Sequence, residues 1–359
     1  MSVEQARARF PVLARLAYLN AGTFGPLSRA TFEAMTRRLI LDTERGRGGA
    51  AYFEELSRLR ERVRSGLAEV LGVEPANVAL TGSTTAGCNI VLGGLGLSSG
   101  DEVVTTDAEH FGLLGPLHAS GAVVRVARTL DRPAADVTAA ILAEVTSRTR
   151  LLALSHVAWK SGHLFPIREL KEATGLPVLV DGAQSVGAIP VEAAPFDFYT
   201  VSGQKWLCGP DSTGGLYVAD PAALAVAAPS YFSQNGYKPD GRYEPSPGSL
   251  RFEPGWVPPS SLAGLAAALE EAPAWRFQRA LELTRHCRER LAERFDVATE
   301  PDQATLVSFS VDADPTETAL RLYERGVVLR DVPGTSWLRV SCGYWTSEED
   351  IERLIEALA

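Results

Sequence analysis

The chain has 359 residues, 45% hydrophobic and 22% charged, which is ordinary for a folded globular protein and long enough to divide into two domains. Its formal charge of -9 argues against a nucleic-acid-binding surface, which needs clustered Lys and Arg, but leaves room for a local basic pocket.

The opening, "MSVEQARARFPVLARLAYLNAG", carries charges throughout and has no apolar core of the signal-peptide kind. No apolar stretch approaches the roughly 18–20 residues of a membrane span. Cys88, Cys208, Cys287 and Cys342 lie far apart without a CxxC pair, so neither a zinc site nor a disulfide framework is expected. A cytoplasmic location with no metal, membrane or nucleic-acid partner is the simplest expectation.

In residues 52–71, Phe53, Leu56, Leu59, Val63 and Leu67 recur at helical spacing, and Gly72 is a natural stop. "NVALTGSTTAGCNIVLGGL" reads as a strand, a Thr/Ser/Gly turn and a helix. "DEVVTTDAEH", "AVVRVAR", "RLLALSHVAW" and "LPVLVDGAQ" are short aliphatic runs, each followed by polar turn chemistry. Helices are predicted near 134–146 and in "IRELKEAT", so the order is βαβ and the sheet mostly parallel. From about residue 222 the chain becomes rich in Pro, Gly and aromatics and reads as an ordered covering loop. A long helical stretch is predicted over 260–295, followed by strand, helix, strand, strand, helix, which suits a small α+β unit.

Open α/β sheets bind ligands beyond the carboxyl ends of their strands, so polar residues there converge in space. "LTGSTTAG" places Thr84 and Thr85 at a helix start, either as an anion cradle or as simple capping. "VLVDGAQS" ends an apolar strand on Asp181, with Gln184 just beyond; a carboxylate there meets a cation or caps a loop. "AEHFG" puts His110 after another strand. In "FDFYTVSGQKWLCGP" the apolar run leads straight to Lys205, either a snorkelling surface lysine or an amine kept dry and reactive. Together these supply what pyridoxal 5′-phosphate needs: a phosphate site, a partner for the ring nitrogen, a flat ring to stack on and an amine.

"DGAQSVGAIPVEAAPFDFYTVSGQKWLCGPDSTGGLYV" carries a specific resemblance. From about Tyr18 onward the chain resembles the class V, fold type I pyridoxal-phosphate enzymes, a group of cysteine desulfurases, selenocysteine lyases, kynureninases and isopenicillin-N epimerases. The resemblance implies an α/β fold with a mostly parallel seven-stranded sheet in the large domain and a small α+β C-terminal domain. The expected division is an N-terminal segment over 1–17, a cofactor-binding domain over 18–259, and a linking helix with the small domain over 260–359.

By the same resemblance, Lys205 forms the Schiff base and is the catalytic base, Asp181 pairs with the ring nitrogen, and Gln184 contacts the phenolic oxygen. His110 stacks on the ring, and Thr84, Thr85, Ser202 and Gln204 hold the phosphate. Arg339 in "WLRVSCG" matches the arginine that binds the substrate carboxylate, with Trp159 and Asn20 also on the substrate side. A homodimer acting on an amino-acid substrate is implied. Four departures stand out. Gln204 replaces the family's usual histidine, and Trp256 replaces a threonine that reaches the partner subunit's phosphate. Trp159 stands where desulfurases have asparagine. Residues 326–341, which should carry the desulfurase cysteine, hold none.

The expected activity is therefore a carbon–sulfur β-lyase acting on a cysteine derivative. An epimerase or aminotransferase is the alternative, and a non-catalytic regulator on the same fold is the rival from another class.

Overall fold

The computed structural model describes residues 1–359. In order the chain runs α1 (Val3–Ala8), β1 (Ala17–Tyr18), α2 (Arg29–Arg45), α3 (Gly49–Leu71), β2 (Val78–Thr81), α4 (Thr84–Gly94), β3 (Glu102–Thr106), α5 (Phe111–Ala119), β4 (Val123–Ala127), α6 (Ala134–Leu142), β5 (Thr149–Ser155), α7 (Ile167–Thr174), β6 (Val178–Asp181), β7 (Phe198–Ser202) and β8 (Gly214–Val218). It continues through β9 (Gln234–Tyr237), β10 (Tyr243–Pro245), α8 (Pro259–Glu271), α9 (Arg276–Ala292), β11 (Leu306–Ser310), α10 (Pro315–Glu324), β12 (Val327–Val328), β13 (Arg330–Asp331), β14 (Trp337–Ser341) and α11 (Glu348–Leu358).

A seven-stranded sheet of order β2-β8-β7-β6-β5-β3-β4 forms the large unit. Only β8 runs against its neighbours. Its strands are apolar at successive positions because both faces are covered. Thus Val178 and Val180 enter one core with Leu67, Leu152 and Leu154, while Leu179 enters the other with Leu113 and Leu151. The helix α3 forms as its spacing predicts, with Leu56, Val63, Leu67 and Leu71 buried but Phe53 exposed, and Gly72 ends it at φ 66°, a left-handed conformation suited to glycine.

The predicted stretch over 260–295 is two helices rather than one. Pro273 bars a continuous helix, and Ala272 before it is extended. The first of them, α8, packs Leu262, Leu265 and Ala266 into the large core. The small unit is the antiparallel sheet β11-β14-β13 with α9, α10 and α11. The chain start belongs with it, because β1 pairs in parallel with β12 and Ala17 and Leu19 lie in the small unit's core. Residues 17–19 therefore sit across the expected boundary at residue 18. No helix is long and apolar enough to cross a membrane.

Candidate active site

The carboxyl ends of β2, β3, β5, β6 and β7 lie along one edge of the large sheet. At the β2 end, Ser83 caps α4 by accepting from Ala86 N–H (3.1 Å), and the N–H groups of Thr84 and Thr85 remain free. Such a terminus attracts an anion. The first turn of α5 abuts it, since a Cβ on Gly112 would stand 2.5 Å from Thr85 Oγ1. At the end of β7 the Ser202 hydroxyl donates to Gln204 Oε1 (2.8 Å), and the Gln204 side-chain N–H groups stay free to donate.

Lys205 follows in a turn that its neighbours hold tightly. A side chain at Gly203 would run into Thr213, and one at Gly25 would meet the Lys205 carbonyl. The lysine is half-buried and forms no ion pair. Burial lowers its pKa to about 8, Arg339 and Arg330 push the same way, and Asp181 opposes them. The lowered pKa leaves more of the amine neutral near pH 8 than in an ordinary lysine. Asp181 is 3% exposed at the tip of β6, and Ala183 N–H donates to its Oδ1 (2.9 Å).

His110 caps α5: its Nδ1 accepts from Gly112 N–H (3.0 Å), so the neutral ring carries its proton on Nε2. Burial and the Lys205 charge hold its pKa below the usual range. Its ring meets Trp159 edge-on, with centroids 5.1 Å apart. Gln184 donates to the Gly22 carbonyl (2.8 Å) and accepts from Trp206 Nε1 (2.9 Å), which ties the N-terminal loop to the β6 end.

Arg339 is 1% exposed and has no carboxylate partner. Nη1 donates to the Trp159 carbonyl (2.8 Å), Nη2 reaches the Thr23 hydroxyl (3.4 Å), and buried Nε bonds to nothing. Burial, then the neighbouring Arg330 charge, lowers its pKa to about 9. Asn20 joins it by a bridge to Ser341, and the buried Asn20 Oδ1 and Trp159 Nε1 are also without partners. Buried polar atoms without protein partners that converge on one place suit a polar ligand.

Sequence reasoning missed Arg330. It is the cross-strand partner of Arg339, and its guanidinium lies 5.6 Å from the centre of the Trp159 ring. Lys160 Nζ lies 6.0 Å from the same ring. The only signal was an arginine in a strand-like run, which ordinarily marks a solvated face. Trp256 is the one predicted residue that does not join the others within one chain. It is 56% exposed and packs edge-on against Phe232 (4.7 Å).

The donor set fits pyridoxal 5′-phosphate. The free α4 terminus with Ser202 and Gln204 suits the phosphate, Asp181 a protonated ring nitrogen, Lys205 the aldehyde, and His110 a flat ring.

Known proteins resemble this chain along nearly its whole length. The model of the family described as aminotransferase class-V matches residues 27–354. Isopenicillin N epimerase of Streptomyces clavuligerus is 32% identical, covering 99% of this chain and 97% of that protein. A probable cysteine desulfurase of Pseudomonas aeruginosa is 31% identical over 98% and 96%. Among solved structures, the cystine C–S lyase C-DES in complex with its product cysteine persulfide superposes with a TM-score of 0.90 at 30% identity, covering 97% of this chain and 98% of that one. A C-DES mutant with glycine covalently linked to its pyridoxal-phosphate cofactor gives the same score and identity over 98% of each chain.

Proposed function

The chain belongs to the class V aminotransferase family of pyridoxal-phosphate enzymes, and on that premise we propose that it is a carbon–sulfur β-lyase acting on a cysteine-derived amino acid that carries a second carboxylate. One observation carries the reading: the β13–β14 hairpin presents two unpaired arginines and no thiol. A desulfurase needs a thiolate to attack the substrate sulfur. Two guanidiniums without internal carboxylates suit a substrate with two carboxylates, such as a disulfide of two cysteines.

When bound, the cofactor acts as an electron sink for the pair released from the substrate Cα. The chain's residues do the rest. Arg339 grips the α-carboxylate through its rigid fork, and Arg330 holds the distal one. Lys205 would hold the cofactor through its amine and would take the Cα proton at Nζ. Asp181 keeps the ring nitrogen protonated. The Cβ–S bond then breaks, sulfur leaves with its bonding pair, and Lys205 can return a proton to the departing group. Buried Trp159 walls the site against water.

We further infer a homodimer. Phe24 (49% exposed) and Phe32 (63%) leave an apolar face bare, and Gly25 between them donates to the Gln204 carbonyl beside Lys205. A second copy seated there would cover both rings and lie next to the site.

The deciding experiment incubates the loaded protein with L-cystine, L-cysteine and S-methyl-L-cysteine and measures pyruvate, ammonia and released sulfur. Equimolar pyruvate and ammonia, greatest with L-cystine, supports the lyase. Inversion at Cα with no pyruvate makes it an epimerase instead. Full inertness toward a broad amino-acid panel would leave the regulator reading.

A further inference from the structure

Glu109, the residue before His110, has no part in the chemistry above, yet it is 3% exposed and meets no cation. It lies just past β3, beyond the point where that strand pairs with β5. There it replaces the missing strand. Ser155 N–H donates to both of its oxygens (3.1 Å each), the Ser155 hydroxyl to Oε2 and the Thr106 hydroxyl to Oε1 (3.0 Å). Ser155 is also the register partner of Asp181 on β6. Two carboxyl groups thus flank one serine.

The groups around the pair are few. Cys88 on α4 lies in the field of both carboxylates, while His110 at the head of α5, Lys205 beyond the end of β7 and Tyr199 on β7 feel Asp181. Burial raises the Glu109 pKa to about 7 with help from Asp181, and the Ser155 and Thr106 hydroxyls oppose the rise.

We propose that Glu109 is a positioning residue for Asp181, setting by its own charge how firmly Asp181 holds a proton on the cofactor's ring nitrogen. The proposal rests on the cofactor assignment and not on the choice of lyase over epimerase. A neutral Glu109 can donate its O–H to Ser155 Oγ, so Asp181 alone bears charge. When Glu109 loses that proton to solvent, a second negative charge stands beside Asp181 and favours the protonated ring nitrogen.

The test follows the long-wavelength absorbance of the loaded, substrate-free protein from about pH 5 to about pH 9, in wild type, Glu109→Gln and Ser155→Ala. Wild type should show a step near the Glu109 value of about 7, absent in Glu109→Gln. Ser155→Ala removes a hydroxyl that favours the charged form, so its step should move to higher pH. A second readout is the Tm of the cofactor-free proteins. Glu109 is raised from 4.5 to about 7, so the folded chain holds an extra proton in that window and loses stability as pH rises through it. Glu109→Gln escapes that loss, and its Tm advantage should grow across the same window. A Tm difference of this kind with identical absorbance titrations would reduce Glu109 to a plug for the Ser155 amide and overturn the proposal. A wild-type step persisting in Glu109→Gln would do the same. Should Glu109→Gln not fold, an unmoved step in Ser155→Ala overturns it alone. Because no substrate is present, failure of the lyase reading would leave these titrations unchanged.

Discussion

Arg330 and Arg339 face each other across the β13–β14 register with their guanidiniums 5.6 and 5.9 Å from the centre of the Trp159 ring, and neither meets a carboxylate. Like charges directly opposite in a sheet are destabilising, and a buried cation without a partner costs more. An anion bound between the two guanidiniums would relieve both penalties. Arg339→Ala should therefore raise the kcat/KM barrier by about 2–5 kcal/mol through loss of a desolvated, charge-assisted pair. The same variant also takes the donor from the Trp159 carbonyl and the Thr23 hydroxyl, so the kinetic loss is read on protein that a thermal melt shows to be folded. Arg330→Ala should cost about 1.5–3 kcal/mol with L-cystine and far less with S-methyl-L-cysteine. Equal losses on both substrates would remove Arg330 from the distal position. Steady-state kinetics and thermal melts decide.

Lys205 should be the attachment point. Borohydride reduction of the loaded protein followed by peptide mapping should place the pyridoxyl group there, and a label on Lys160 or Lys171 sinks the assignment. In the cofactor-free protein the attachment rate should rise with pH and level off above about 8, where the amine is already neutral. A plateau near the ordinary lysine value of about 10.4 would mean the amine is solvated.

Asp181→Asn should keep its cofactor and lose most turnover. The amide leaves the phosphate contacts intact but cannot stabilise a protonated ring nitrogen. Cofactor content by absorbance, set against rate, separates the two effects; near-normal turnover would make the carboxylate structural.

No cysteine should be essential. Cys208 and Cys342 are fully packed, and burial holds the Cys208 thiol far above the range in which it would ionise. Cys208→Ala and Cys342→Ala, singly and together, should lower turnover by less than about tenfold, within about 1.4 kcal/mol of barrier. A persulfide trapped on either residue would return the desulfurase reading.

Assembly should show in dilution. Sedimentation across a concentration series should find a two-fold dimer, with activity falling where the dimer dissociates. A monomer of undiminished activity would exclude a role for the partner, and would leave exposed Trp256 outside the site in solution as well.

Much of this architecture was legible in the chain. Strands such as "LPVLVDGAQ" are apolar at consecutive positions because helices cover both sheet faces, and that pattern specifies a parallel sheet whose strand ends gather the ligand groups. The place of Asp181, Lys205 and His110 beyond strand ends could be read because each is a polar residue after such a run. Arg330 could not, since its meaning lies in a partner across the hairpin and in the lack of any carboxylate nearby. Glu109 looked like one more turn residue until Ser155 was seen to donate to it from the next strand.

Local pattern determined the helix and strand order, the break at Gly72, the polar strand ends and the missing hairpin thiol, because each depends on neighbours within a turn or two of chain. Tertiary structure decided what the charges do. It put Ala17–Leu19 into the small unit's core, left Trp256 facing solvent, and brought Arg330, Arg339 and Lys160 around one ring. Burial and the distance between charges set electrostatic energy, and neither quantity exists until segments far apart in the chain have met.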